Sequence, residues 1–428
     1  MKKKNLILVL VIMLVLITGC GAPNANPTSS STENNGDKKE LTVWHIETAV
    51  AEVALDEAIQ RFEEEHPDVK VNLVRQENDP YKTKLAVAMG GGNPPDVFHS
   101  WGGGWLKKFV DAGQVKEITG EVDPDHYLEA ALAPSIYDEK IYGVPLSIAF
   151  VPVWYNKEIF EKYDLEEPET YEELLGIVET LTANDVIPFA LANQSKWPGS
   201  FYMMYLAERI GGPDLFNEAF ERSGRGFDDE AYLEAAKKIQ ELVKMNAFPE
   251  GVNGMNYDTG QSRQLLYTNK AAMEVMGTWT IGTIREELPE FEEKLGFFMF
   301  PSLSGGEGTR KHLVGGVSPV FSVAEKSPNQ ELAVELVKEL TSVETAEKFA
   351  NTDGSIAAVK GVKYEDDYVK GISDLLAKSE YLQPYYDQTL PPELAEVHLD
   401  TTQALFSLSI TPEEAVEKVE AKAKELLE

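Results

Sequence analysis

Cysteine is almost absent: Cys20 is the only one in 428 residues. A disulfide framework is thereby excluded, and so is a structural zinc site, which draws on several thiolates. Histidine is scarce as well. His45, His66, His99, His126, His312 and His398 include no pair at i, i+3 or i, i+4, so no helix carries two on one face. Positive charge is short: 39 Lys and Arg stand against 72 Asp and Glu, a formal net charge of -33. Such a chain repels phosphate backbones and anionic membrane surfaces, which excludes nucleic acid as a partner. Long-range steering favours a neutral ligand over an anion. What is present is apolar residue enough for a core, 43% of the chain, which excludes wholesale disorder.

Residues 6–17 form an unbroken apolar run behind Lys2, Lys3 and Lys4. A spanning helix needs roughly 20 apolar residues, so this run is the hydrophobic region of a secretory signal. It ends in Leu16-Ile17-Thr18-Gly19-Cys20, which resembles the bacterial lipobox. That resemblance implies removal of residues 1–19 as a signal peptide and a lipid on Cys20, hence attachment to the outer face of a cell membrane. Residues 20–40 are the lipidated cysteine and a Ser-, Asn-, Thr- and Pro-rich tether with no apolar periodicity.

From Leu41 on, short β-branched runs alternate with helical stripes. Strands are expected at 41–46, 69–74 and 95–100, and helices at 50–65 and 81–89. This is the pattern of an α/β fold with a largely parallel sheet. Val50, Val53, Ala54, Ala58, Ile59 and Phe62 mark the buried stripe of the first helix. Ser327-Pro328 and Thr411-Pro412-Glu413-Glu414 read as helix starts, the second as a capping box.

Motifs for chemistry are missing. Gly305–Lys311 lacks the Gly-Lys-Ser/Thr ending of a phosphate loop and reads as a surface loop. Gly102-Gly103-Gly104 lacks dinucleotide spacing, Asp123-Pro124-Asp125 lacks the glycine of a calcium loop, and no Gly-x-Ser-x-Gly elbow occurs. No cofactor and no metal is expected. The aromatic residues are more informative. Trp101, Trp197 and Trp279 each stand beside glycine or proline, where α/β sheets present ligands, and an indole face suits the apolar face of a sugar ring. Trp105 and Trp154 read as core.

Several segments, in order, carry a family resemblance: Thr42-Val43-Trp44-His45; Pro95-Asp96-Val97-Phe98 with Trp101-Gly102-Gly103-Gly104-Trp105; Val144-Pro145 with Trp154-Tyr155-Asn156-Lys157; Asn269–Met273 with Gly277-Thr278-Trp279; and Leu390-Pro391-Pro392-Glu393. The chain resembles the extracellular solute-binding proteins, family 1, of ABC importers, in their raffinose-type and multiple-sugar branch. The resemblance implies a periplasmic-binding-protein-like α/β fold of two lobes joined by three crossings, near 147–152, 315–318 and 353–357. One lobe is expected to be 41–149 plus 318–354, the other 150–317 plus 355–428, with Gly315-Gly316 and Asp353-Gly354-Ser355 as flexible joints. It also implies a neutral sugar or oligosaccharide ligand, permease transmembrane subunits as partners, a monomer and no enzymatic activity. The expected contacts are His45, Glu47, Ser100, Trp101, Trp197, Phe201, Trp279, Tyr386 and Glu396, with Trp279 as the main platform. Ala149 stands where some maltose-type relatives place a carboxylate. A ligand-presenting subunit of a membrane sensor and a secreted carbohydrate-active enzyme stay open as alternatives.

Overall fold

The computed structural model describes residues 38–428; the expected signal peptide, Cys20 and most of the tether lie outside the described residues. The first sheet orders its strands Val69–Arg75, Lys39–His45, Val97–Ser100, Val320–Val323 and Val144–Pro145. The first three run parallel. The helix Ala49–Glu65 covers them: the Thr48 hydroxyl accepts from the Ala51 N–H at its start, and Ala51, Ala54, Leu55, Ala58, Ile59 and Phe62 are buried. Val53, placed on that stripe by periodicity, is 43% exposed, because the buried face runs through Ala51 and Leu55 instead. The helices Gln330–Leu340 and Val343–Asp353 complete this core.

A second sheet orders Leu295–Phe298, Val153–Asn156, Ala271–Val275 and Ile187–Ala190, packed against the helices Tyr171–Ala183, Trp197–Gly211 and Glu230–Lys244. The expectation of a largely parallel sheet fails here and in part of the first sheet. Val153–Asn156 is antiparallel to both neighbours, and Val320–Val323 is antiparallel to Val97–Ser100. The reason is connectivity: Val320–Val323 re-enters the first sheet from the other half of the chain, so no right-handed crossover fixes its direction.

Between the two lies a third sheet, ordered Ile356–Ala357, Ser147–Phe150, His312–Val317 and Tyr381–Pro384. All three chain segments read as crossings pass through it. Gly315 and Gly316 are not loose joints. They sit within a strand that is paired on both sides, and a Cβ on Gly315 would fall 2.5 Å from the Ala149 carbonyl oxygen. Gly315 leaves room for that backbone, and Gly316 for the Tyr385 ring, which a Cβ would approach to 2.8 Å. Gly354 does sit at φ +82, closing the helix Val343–Asp353 in the left-handed region.

Thr411 forms the full capping box with Glu414. Ser327 does not cap the next helix as read. Asn329 holds that position, and the Ser327 hydroxyl donates to the Asp96 carboxylate while accepting the Asn329 N–H at 3.2 Å, one residue short of the helix.

Candidate functional site

A cavity of about 300 Å³ opens between the first and second sheets' lobes. Its floor is the turn that follows the strand Lys39–His45, carrying Glu47 and Thr48, together with Asp353 and Ser355 beside the third sheet. One wall is aromatic. Trp197 opens the helix Trp197–Gly211, and Phe201 lies one turn on, so both rings share a face. Trp279 stands at the N-cap of the helix Thr280–Glu287. Its indole N–H donates to the Tyr257 hydroxyl at 3.0 Å, and Trp197 meets Tyr257 and Trp279 edge-on, with ring centroids at 4.7 and 6.1 Å. Tyr385 extends the wall beside Phe201.

Gly277 explains how Trp279 reaches that position. Its backbone needs no left-handed turn. The indole folds back over it, and a Cβ there would lie 2.0 Å from the Trp279 Cζ3 atom. Only glycine leaves that space.

The structure gathers Glu47, Trp101, Trp197, Phe201 and Trp279 into the cavity lining and places the other expected contacts elsewhere. Trp101 is 6% exposed, with rings of Tyr81, His99 and Trp105 at its edges and the Lys82 ammonium 4.9 Å from its ring centre. His45 is wholly buried behind the floor, where its Nδ1 accepts the Glu47 N–H at 3.3 Å. Ser100 is buried in its strand, facing Ser322. Tyr386 points away from the cleft and stacks on Phe216 in the core, with ring centroids 4.4 Å apart. Glu396 is exposed and paired with Lys196.

Each base of the cavity lining is paired with an acid, and the lining holds further acids, Glu77 and Asp258 among them. Arg263 grips Glu287 through two nitrogens at 2.7 and 3.0 Å, Arg75 lies 3.3 Å from Glu286, and Lys82 lies 3.4 Å from Asp387. Burial disfavours charge on the floor acids. Burial raises Glu47 to about 8; burial, and then the neighbouring Glu47 charge, raises Asp353 to about 7. His99, with Nδ1 3.0 Å from Glu47, and His45 are both held down to about 3, chiefly by burial. A neutral carboxyl both donates and accepts hydrogen bonds, as a ligand hydroxyl does.

Residues 48–347 match the family described as bacterial extracellular solute-binding protein. The chain belongs to that family. Among its relatives, this solute-binding protein is 26% identical to the multiple sugar-binding protein of Streptococcus mutans, covering 78% of this chain and 79% of the relative. It is 25% identical to the galactooligosaccharide-binding protein of Bacillus subtilis, over 99% and 97%. A solved structure from work on xylan utilization by the thermophilic bacterium Caldanaerobius polysaccharolyticus superposes with a TM-score of 0.83 at 28% identity, covering 90% of this chain and 99% of that one.

Reading the sequence missed Tyr257, Asp258, Arg263, Asp353, Tyr385 and Asp387 in the lining of this solute-binding protein. Asp353 was within reach, since Asp353-Gly354-Ser355 stood out as a joint. Tyr385 and Tyr386 are neighbours that face opposite ways, and nothing in the pair itself says which one faces the cleft.

Proposed function

We propose that this protein captures a neutral sugar or oligosaccharide between its lobes and delivers it to the transmembrane subunits of an ABC importer. The observation that carries this reading is an aromatic wall, Trp197, Trp279, Phe201 and Tyr385, facing a floor of buried carboxyls with raised pKa within one cavity. Indole and phenol faces cover the apolar face of a pyranose, and carboxyl groups bond its hydroxyls. The sugar-binding names of the two curated relatives support the same ligand class. The lobes are 41–149 plus 318–354 and 150–317 plus 355–428, and ligand closes them about the third sheet by favouring a closed form that the free protein already populates. The protein works as a monomer outside the cell, held by a lipid on Cys20.

Thermal melts against a panel of neutral and acidic oligosaccharides test the reading. A sugar at 100 times its Kd stabilises the native state by about 2.7 kcal/mol, which a melt resolves. Neutral members should raise the melting temperature. A panel in which only acidic sugars do so, or none does, refutes the assignment; breakdown of a bound sugar would favour an enzyme.

A further inference from the structure

Asp79 stands in the first turn of the helix Asn78–Gly91, behind the cavity lining and not in it. Its carboxylate is filled by donors. Oδ1 accepts from Asn78 Nδ2 and from the Trp197 indole N–H, each at 3.3 Å, and Oδ2 accepts from the Ser195 hydroxyl. Its backbone N–H donates to Asp258 Oδ2 at 3.4 Å. Asn78 belongs to the same helix as Asp79. Ser195, Trp197 and Asp258 all belong to the opposite lobe, so one side chain and its amide tie the two lobes at three points.

The bond to Trp197 is the consequential one. Phe201, Tyr257 and Trp279 touch that indole only by ring edges and faces, whereas Asp79 accepts its N–H. Edge contacts leave a ring free to tilt; a hydrogen bond to a carboxylate fixes its direction and is stronger than a neutral one. Other pairs cross the cleft, Arg75 with Glu286 and Lys82 with Asp387, but none of them touches the aromatic wall.

We propose that Asp79 is a positioning residue for the ligand platform: it fixes the Trp197 indole from the opposite lobe, so the aromatic wall reaches its working orientation only when the lobes are together. This role rests on the inter-lobe cavity being the ligand cleft; the bonds themselves do not.

Hydrogen–deuterium exchange on the full chain, with no sugar added, tests it. Asp79→Ala should raise exchange about tenfold at the amides of 194–199, in the opposite lobe, as expected for losing the side-chain hydrogen bonds to Ser195 and Trp197, and should leave 256–260 nearly unchanged because the backbone bond to Asp258 is kept. Asp79→Asn keeps an acceptor oxygen and should restore part of the protection at 194–199. Ser195→Ala, made from the other side, should raise exchange in 78–82. A purely local role would disturb only the helix that carries Asp79. Exchange unchanged at 194–199 in Asp79→Ala, or raised only in 78–91, overturns the proposal. If Asp79→Ala loosens the whole molecule, including the core strand 153–156, then Asp79→Asn and Ser195→Ala decide, and the absence of a reciprocal effect between them overturns it. Because no sugar enters the experiment, failure of the neutral-sugar reading leaves its outcome standing.

Discussion

Replacing Gly277 with alanine should dislodge the tryptophan platform through a single methyl group. The added Cβ would lie 2.0, 2.2 and 2.3 Å from the Cζ3, Cη2 and Cε3 atoms of Trp279. Carbon atoms rest about 3.5–4.0 Å apart, so the ring must retreat by roughly 1.5 Å. That retreat breaks the 3.0 Å bond to Tyr257 and disturbs the packing on Trp197. Stacking one sugar face hides roughly 80 Å² of apolar surface over both partners, worth about 2 kcal/mol, or roughly 30-fold in affinity. Gly277→Ala should forfeit most of this, and Trp279→Ala all of it. Overpacking should also cost the alanine protein about 1–3 kcal/mol of stability. A double-mutant cycle separates the causes. In the Trp279→Ala background no ring remains to collide with, so the stability cost of Gly277→Ala should vanish. Titration calorimetry with a sugar identified by the melts, and thermal unfolding of all four proteins, supply the measurements. The reasoning is refuted if the cost of Gly277→Ala is the same with and without the indole. Full affinity in the Trp279→Ala protein would remove Trp279 as the platform altogether.

Three further outcomes are expected. Glu47 and Asp353, raised to about 8 and about 7, bind protons in the native state that the unfolded chain gives up near 4.5 and 3.8, so their contribution is lost as pH rises through 7 and 8. The melting temperature should therefore fall from about pH 6 to about pH 9, and Glu47→Gln should flatten that fall; His45 and His99, held down to about 3, act in the opposite sense only below 6.5. Tyr385→Ala and Tyr386→Ala both remove buried rings and should each cost about 3–5 kcal/mol of stability, but only Tyr385→Ala, which strips the cavity lining, should also weaken sugar binding, and calorimetry with melts tells the two apart. Cys20→Ala, expressed in a Gram-positive host, should release the protein to the medium or leave it unprocessed; membrane retention with a cleaved signal, seen by fractionation and blotting, would contradict the lipid anchor.

Much of the fold was legible because it rests on local chemistry. The first three strands, the helix Ala49–Glu65 and the Thr411 capping box follow from apolar period and cap residues within a few positions. Strand direction was not legible. Val320–Val323 joins the first sheet from more than 170 residues beyond Val144–Pro145, and no local pattern encodes the direction of its return. Gly315 and Gly316 misled for a related reason. A glycine pair reads as a hinge when the two strands flanking it, 147–150 and 381–384, are out of view in the sequence.

The site divides along the same line. Tryptophans beside glycine or proline were readable, since the backbone that frees the ring is adjacent in sequence. Polar contacts were not. Ser100 and His45 end strands and yet face inward, and Tyr386 differs from Tyr385 only in the direction of its side chain. Asp79, one of 72 acids, had nothing to mark it until the opposite lobe brought Trp197 to it.

Net charge pointed to a neutral ligand, and the cleft reaches the same preference by a different route. An acidic protein of charge -33 repels anions at long range, but salt screens that field within about 10 Å. Inside the cleft the selection is local. Each of Arg75, Lys82 and Arg263 already faces a carboxylate of the opposite lobe or of its own, and burial disfavours charge on Glu47 and Asp353. An anionic ligand must break one of those pairs and strand a partly buried carboxylate, while a cationic one must bring its charge out of water against a wall of aromatic rings; each step carries a desolvation cost. A hydroxylated, uncharged ring demands neither. It exchanges hydrogen bonds with groups that both donate and accept, and it lays its apolar face on Trp279.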